Sequence, residues 1–200
     1  MRRMSSTYKF IPVEMLCWCS GGPMRSLMVF LVLGIAIASS AQSSSQFDTP
    51  EWKIYDVKQD TLRKQGAFVL AAEYTREKQN EAGICKGSQS TAAQNECLGH
   101  EFDTTQSNYE TFARAIRGLL SLKIPKDPKD NFPEPSLNRG KEFDRAEMAW
   151  NRYRDAQCRT SSDQYFGGTI QPSIFLGCKI DLTRGHMHEL EGIYHENLTQ

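Results

Sequence analysis

The sequence predicts an all-α fold, a small disulfide-stapled bundle of three to four helices. Three observations carry that expectation. Apolar residues recur at alternating steps of three and four over long stretches, as they do on the buried stripe of a helix. No stretch of useful length alternates apolar and polar residues in the manner of a half-buried strand. Four of the six cysteines remain once an N-terminal export signal is set aside, enough for two bridges. At 200 residues the chain has room for one ordinary domain or two small ones, which excludes a large multidomain enzyme. With 24 basic and 24 acidic side chains it lacks the excess of Lys and Arg that a broad phosphate-binding face requires, so no nucleic acid is expected as a partner.

The first 41 residues read as an N-terminal extension plus signal peptide. Leu27 to Ala38 is an apolar run of twelve residues, preceded by Arg25 and followed by Ser39-Ser40-Ala41-Gln42, which gives the three regions of an export signal in order. A spanning helix needs about 20 apolar residues, so an uncleaved membrane anchor is the weaker reading. Cleavage is expected near Ala41, leaving no membrane contact and placing the protein in the periplasm or outside the cell. Met24 directly precedes Arg25, so residues 1 to 23, with Cys17 and Cys19, read as an overlong start or an extended basic region. Removing Arg2, Arg3, Lys9, Arg25 and Glu14 leaves 20 basic against 23 acidic side chains, a mildly acidic mature chain.

The elements then follow in order. Residues 42–83 are expected to comprise a disordered Ser/Gln-rich leader and a peripheral helix from Trp52 to Asn80, whose stripe of Val57, Leu62, Val69 and Ala72 is thin. The next helix is the strongest: Leu98, Phe102, Thr105, Tyr109, Phe112, Ile116 and Leu119 keep steps of three and four throughout. Ser90 is its expected N-cap, and Pro125 stops it near Lys123. A connector at 124–138 carries Pro125, Pro128, Pro133 and Pro135 among charged residues and reads as exposed and semi-extended. Helix resumes near Arg139 and runs to about Ser161, with Phe143, Ala146, Trp150, Tyr153 and Gln157 on one face. Gly167-Gly168 marks a loop from Gln164 to Gln171. Pro172 suits the first turn of a last helix, extended to about His195 by Ile174, Phe175, Cys178, Leu182, Leu190 and Ile193.

Cys85, Cys97, Cys158 and Cys178 are the cysteines of the mature chain. Four cysteines allow three pairings. Local pairing, Cys85 with Cys97 and Cys158 with Cys178, is preferred because each pair lies across a loop that can bend back, and closing loops of that size stabilises by about 3 kcal/mol each. A zinc site fits poorly, since neither pair has the short spacing of a structural site.

Trp150, Arg154 and Cys158 fall at i, i+4 and i+8 of one helix face. Together with Asp155, Gly167-Gly168-Thr169-Ile170-Gln171-Pro172, Gly177-Cys178 and Leu182-Thr183-Arg184, this pattern resembles the exported LprI-like lysozyme-inhibitor domain family. Upstream, Cys85, Thr91, Gln94, Asn95, Glu96, Cys97, Leu98, Asp103 and Tyr109 follow the same order, and the likeness covers about 84–194 within a domain drawn at 84–196. The Pro-rich connector and the extra N-terminal helix depart from the family's pattern. The resemblance implies a small disulfide-linked helical domain that acts by binding, with lysozyme or another envelope protein as its partner. Lysozymes are cationic, and a mildly acidic partner gains association rate by electrostatic steering.

Blocking such an enzyme needs a group that reaches its catalytic carboxylates. The candidates for partner contact are Tyr165, Phe166 and Gln171 around the Gly pair, and the Pro-rich connector. The same Gly167-Gly168 also reads simply as a tight turn that lets Cys158 and Cys178 meet. Trp150, Arg154 and Asp155 likewise read as a core aromatic with a helix-to-helix ion pair. Two other functions are kept: an envelope structural module without inhibitory activity, and a metal or small-ligand binder using His188, Glu191 and His195, which share a helix face. No paired acid and base, no assembled nucleophile and no phosphate loop occurs in the sequence, so neither an enzyme nor a cofactor is expected.

Overall fold

The computed structural model describes residues 49–80, 83–126 and 137–199. The expected export signal and Ser/Gln-rich leader lie outside the described residues, as do positions 127–136 of the connector. Four α-helices and no strand occur among the described residues: α1 (Pro50–Gln79), α2 (Thr91–Ser121), α3 (Arg139–Asp163) and α4 (Gln171–Thr199). The all-α expectation is met, as is the local cysteine pairing. Cys85 bonds Cys97 across the α1–α2 loop, and Cys158 bonds Cys178 across the α3–α4 loop.

Local chemistry sets the helix starts. The Thr49 hydroxyl accepts from the Trp52 amide at 3.4 Å, with Pro50 filling the first turn where no donor is needed. Ser90 caps α2 through the Ala93 amide at 3.2 Å, as its sequence position predicts, and Asn138 caps α3 through the Lys141 amide at 3.1 Å. Such caps contribute about 1 kcal/mol each.

Pairings along the helices define an up-down-up-down bundle. Between α1 and α2, Glu73 meets Thr105 and Gly66 meets Ala115. Between α2 and α3, Gln106 meets Arg154 and Arg117 meets Asp144. Between α3 and α4, Cys158 meets Cys178 and Phe143 meets Tyr194. Helices α2 and α4 run parallel and pack together, tied near their starts by Ser173 donating to Asn95. Helices α1 and α3 flank that pair with no close backbone approach to each other. The core joins all four: Val69 and Leu70, Tyr109, Phe112 and Ile116, Phe143, and Met187 and Leu190. Burying Phe112, Ile116 and Met187 almost completely contributes about 1.5–3 kcal/mol each.

The stripe predicted for α2 is buried as expected except at Phe102, which is half-buried. The other three helices correct the sequence expectation. Helix α1 is not peripheral: Gly66, Val69, Leu70 and Glu73 face inward, while Val57 is 66% exposed. Helix α3 is rotated from its expected face, with Tyr153, Ala146 and Gln157 outward and Arg154, Cys158 and Ser162 inward. Helix α4 buries Ser173, Ile180, Thr183, Arg184, His186 and Met187, leaving Ile193 exposed, and bends at Tyr194 (φ −106°, ψ 17°). In each case the buried face carries polar groups that find partners across the bundle, so apolar spacing does not mark it.

Candidate functional site

The motif residues assemble into a polar seam inside the bundle. Arg154 is buried on α3; its Nη1 donates to Gln106 of α2 at 2.8 Å and to the Thr183 hydroxyl of α4 at 3.2 Å. Its Nε donates to Asp155 at 3.0 Å, and Lys179 reaches the same carboxylate at 3.3 Å. The ion pair of Arg154 is therefore with its own chain neighbour, and its helix-to-helix links are to neutral groups. Partial burial would push the Asp155 carboxyl up, but the charges and donors of Arg154 and Lys179 outweigh it and hold it below the usual range. Lys179 and Arg154 lie over the Phe102 ring, 4.3 and 5.9 Å from its centre.

A second cluster surrounds Trp150. Its indole stacks on His186 with ring centres 3.9 Å apart and planes 10° from parallel, and Tyr109 tilts against it at 5.3 Å. His186 bridges Glu147 and Glu189, each at 3.1 Å, and the Tyr109 hydroxyl donates to Glu147 at 2.6 Å. Burial and the Glu147 charge push the Tyr109 phenol well above its ordinary range, so it stays a donor.

Arg184 anchors the third cluster. Its Nε donates to Glu73 at 2.8 Å and its Nη2 to Glu101 at 2.5 Å, all three side chains being buried or nearly so. Thr105 and Asn108 complete the shell of Glu73 at 2.8 and 2.7 Å, while Arg76 and Asn80 complete that of Glu101. Burial alone would raise the Glu73 carboxyl; the donors Asn108, Arg184 and Thr105 together hold it below the usual range. Trp150, Arg154, Thr183 and Arg184 thus fix the register of the four helices from within, with Arg154, Thr183 and Arg184 buried and Trp150 partly so.

The α3–α4 loop has the opposite character. Gly167 sits at φ +77°, a left-handed conformation that a side chain would strain, and a Cβ on Gly168 would lie 3.1 Å from the Tyr165 carbonyl oxygen that the Gly168 amide bonds at 2.9 Å. Gln171 braces this turn from inside, accepting from the Gly167 amide at 3.3 Å, and so is committed to the loop. The turn holds Tyr165, Phe166 and Ile170 out toward solvent, with Phe166 86% exposed. The Cys158–Cys178 bridge pins its base, and Cys158 itself is fully buried. Ile170 joins Tyr165 and Phe166 as a third exposed apolar side chain that the sequence did not single out.

His188, Glu191 and His195 do not converge. His188 stacks on Tyr74 and meets Glu77 at 3.0 Å, Glu191 accepts from the Tyr74 hydroxyl, and His195 lies past the bend at Tyr194. Among the described residues no three His, Cys, Asp or Glu side chains gather as cation ligands. No helix among them is long and apolar enough to cross a membrane. Sequence spacing also missed Glu73, Glu101, Gln106, Glu147 and His186, the partners of the seam. Only the position of Glu73, one turn beyond Val69 and seven residues beyond Gly66, hinted that a carboxylate sits on a buried face.

Comparison with known proteins bears on what this scaffold serves. An uncharacterized protein of Rhizobium meliloti (strain 1021) is 38% identical over 47 residues, 24% of this chain and 34% of that protein. The chain therefore spans about a third of that relative's length. No solved structure matches. The sequence pattern of the family described as lysozyme inhibitor LprI matches residues 85–190, just over half of the chain and all of the polar seam on α2, α3 and α4, and the chain belongs to that family.

Proposed function

We propose that this protein binds and blocks lysozyme through the α3–α4 loop, acting by contact and not by catalysis. The observation that carries the reading is the exposed Tyr165, Phe166 and Ile170 on a turn pinned by a disulfide. Large apolar side chains held rigidly in water are characteristic anchors of protein interfaces, because little conformational entropy is lost when they enter a pocket. The Tyr165 hydroxyl supplies a donor at the same tip for a carboxylate in an enzyme cleft. Two disulfides support export, since such bridges persist in oxidising compartments. The acidic excess of the chain after residue 41 favours encounter with a cationic enzyme.

The test is lysis of a bacterial suspension by c-, g- and i-type lysozymes with the disulfide-intact protein in large molar excess. Inhibition of at least one type is expected, together with its loss in Phe166→Ser, whose melting curve should match the wild type because the ring contributes little to the core. Undiminished lysis by all three types would remove lysozyme as the target. Inhibition by Phe166→Ser equal to that of the wild type would remove the loop.

A further inference from the structure

A groove of about 730 Å³ runs along α4, walled on the other side by the end of α1, Gly83 and Ile84 of the α1–α2 loop and the start of α2. It adjoins the exposed loop through Ile170. Two glycines form its floor. A Cβ built on Gly177 or Gly185 meets nothing within 4 Å, so the absence of side chains there is what keeps the groove open. One part of the lining is apolar, with Ile84, Leu98 and Ile174; another is acidic, with Glu77 and Asp181.

The charge balance around that acidic part is unequal. Arg184 reaches the groove but is committed to Glu73 and Glu101, and Arg76 is committed to Glu101. Glu77 is met by His188, which also lines the groove, at 3.0 Å, so Asp181 is the carboxylate of this lining that has no partner among the described residues. Asp181 is exposed and makes no hydrogen bond or ion pair with any described residue. Partial burial and the neighbouring Glu77 push its carboxyl up despite Arg184, so a cation entering beside it would be stabilised. The groove is the size of sites that hold drug-sized molecules, larger than a bare ion needs. An anion would meet the Asp181 carboxylate, and a purely apolar ligand would leave it desolvated without a partner.

We propose that this groove receives a chain segment of a cationic protein carrying an exposed lysine or arginine, whose aliphatic stem lies over Gly177 against Ile84 and Ile174 while its head group pairs with Asp181 beside Glu77. Long basic side chains suit such a site because their methylene stems bury on apolar surface as the charge stays at a polar end. The inference rests on the lysozyme reading for the identity of the partner, though not for the chemistry of the groove.

The experiment uses the disulfide-intact ¹⁵N-labelled protein, titrated with a tetralysine peptide and with the same peptide acetylated on every Nε. Tetralysine is expected to shift the amides of Gly177, Asp181 and Gly185, less so as salt is added, and the acetylated peptide to leave them unmoved. Asp181→Asn should weaken tetralysine binding by about fivefold, the range of a partly exposed ion pair. Gly177→Leu fills the groove without crowding the helix and should abolish binding with the helical circular dichroism retained. Shifts confined to other surfaces, or unchanged affinity in both variants, would overturn the proposal. Lysis assays separate the two readings. A wild-type protein that fails to inhibit any lysozyme but binds tetralysine in the groove removes the enzyme and leaves the groove. One that inhibits equally well as Gly177→Leu and ignores tetralysine removes the groove and leaves the loop.

Discussion

Replacing Arg184 with alanine tests whether the polar seam is a structural element or a solvated accessory. The side chains of Arg184 and Glu73 are 6% and 3% exposed, and their 2.8 Å bond lies between α4 and α1. Deleting the guanidinium leaves Glu101 with Arg76 and Asn80, but leaves Glu73 with only the neutral donors Thr105 and Asn108. The loss therefore concentrates on one buried carboxylate. Breaking a buried pair from one side costs about 3–5 kcal/mol, or roughly 6–20 °C in melting temperature for a domain of this size. Denaturation followed by far-ultraviolet circular dichroism at pH 7, without reductant, measures it. The pH dependence supplies the sharper check. In the wild type, Glu73 titrates below its ordinary value because its donors outweigh burial. Without Arg184, burial is opposed only by the neutral donors Asn108 and Thr105, so the folded-state carboxyl is expected to rise above its unfolded value, and the stability that its protonated form contributes is then present at low pH and lost as pH rises through the folded value. The gap between variant and wild type should narrow from pH 7 to pH 5. A loss under about 1 kcal/mol at pH 7, or a gap unchanged at pH 5, would refute this account, since breaking a buried pair costs more than that. The double variant Glu73→Gln, Arg184→Met should recover at least half of the loss, because it removes both charges and keeps an amide oxygen for Thr105.

Three further outcomes are expected. The variant Cys158→Ala, Cys178→Ala opens a loop of about 21 residues and should lose about 3 kcal/mol, read from the same denaturation curves; a loss under 1 kcal/mol would show that the loop is already ordered in the unfolded chain. Gly167→Ala should lose about 1 kcal/mol because its φ of +77° is strained for a β-carbon, whereas Gly167→Asn should lose less; equal costs would mean that the turn relaxes. In the wild type, Glu73 and Asp155 are both held below their ordinary values near 4.5 and 3.8, so their contribution is complete above those values and lost as pH falls through the lower folded ones. Acid titration at constant temperature should show stability declining below about pH 5, offset in part by Asp181, whose raised carboxyl contributes in the opposite sense; a decline beginning near pH 6.5 would point to histidines instead.

The helix α2 was legible in the sequence because its buried positions are almost all apolar, Thr105 excepted, and spacing alone finds such a face. The other three helices bury Glu73, Arg154, Thr183, Arg184 and His186, residue types that periodicity assigns to solvent. Their interior faces were consequently misplaced, outward for Tyr153 and Ile193, and α1 looked thinner than it is. The sequence left three cysteine pairings open, and the structure has the local one that was preferred, each bridge closing the loop between successive helices. Around the candidate site, the Gly pair announced a turn, and its aromatic neighbours emerged exposed. The groove had no sequence signature, since its depth comes from two glycines eight residues apart on α4 and its far wall from α1 and α2.

The distribution of crosslinks ties these features to one end of the molecule. Because α2 and α4 run parallel, their starts lie together, bonded through Asn95 and Ser173, and the ends of α1 and α3 lie beside them. Both disulfides therefore close loops at the same end, and the exposed α3–α4 turn and the acidic groove open there as well. The opposite end carries the start of α1, the end of α2, the start of α3 and the end of α4, with its bend at Tyr194 and no bridge among the described residues. The polar seam fits the same division. Arg184 and Arg154 cross-link the helices between the stapled end and the apolar core of Phe112 and Ile116, so the two loops are backed by covalent bonds on one side and by buried, directional pairs on the other. A binding surface gains affinity from such backing because its anchors have little freedom left to lose when a partner arrives.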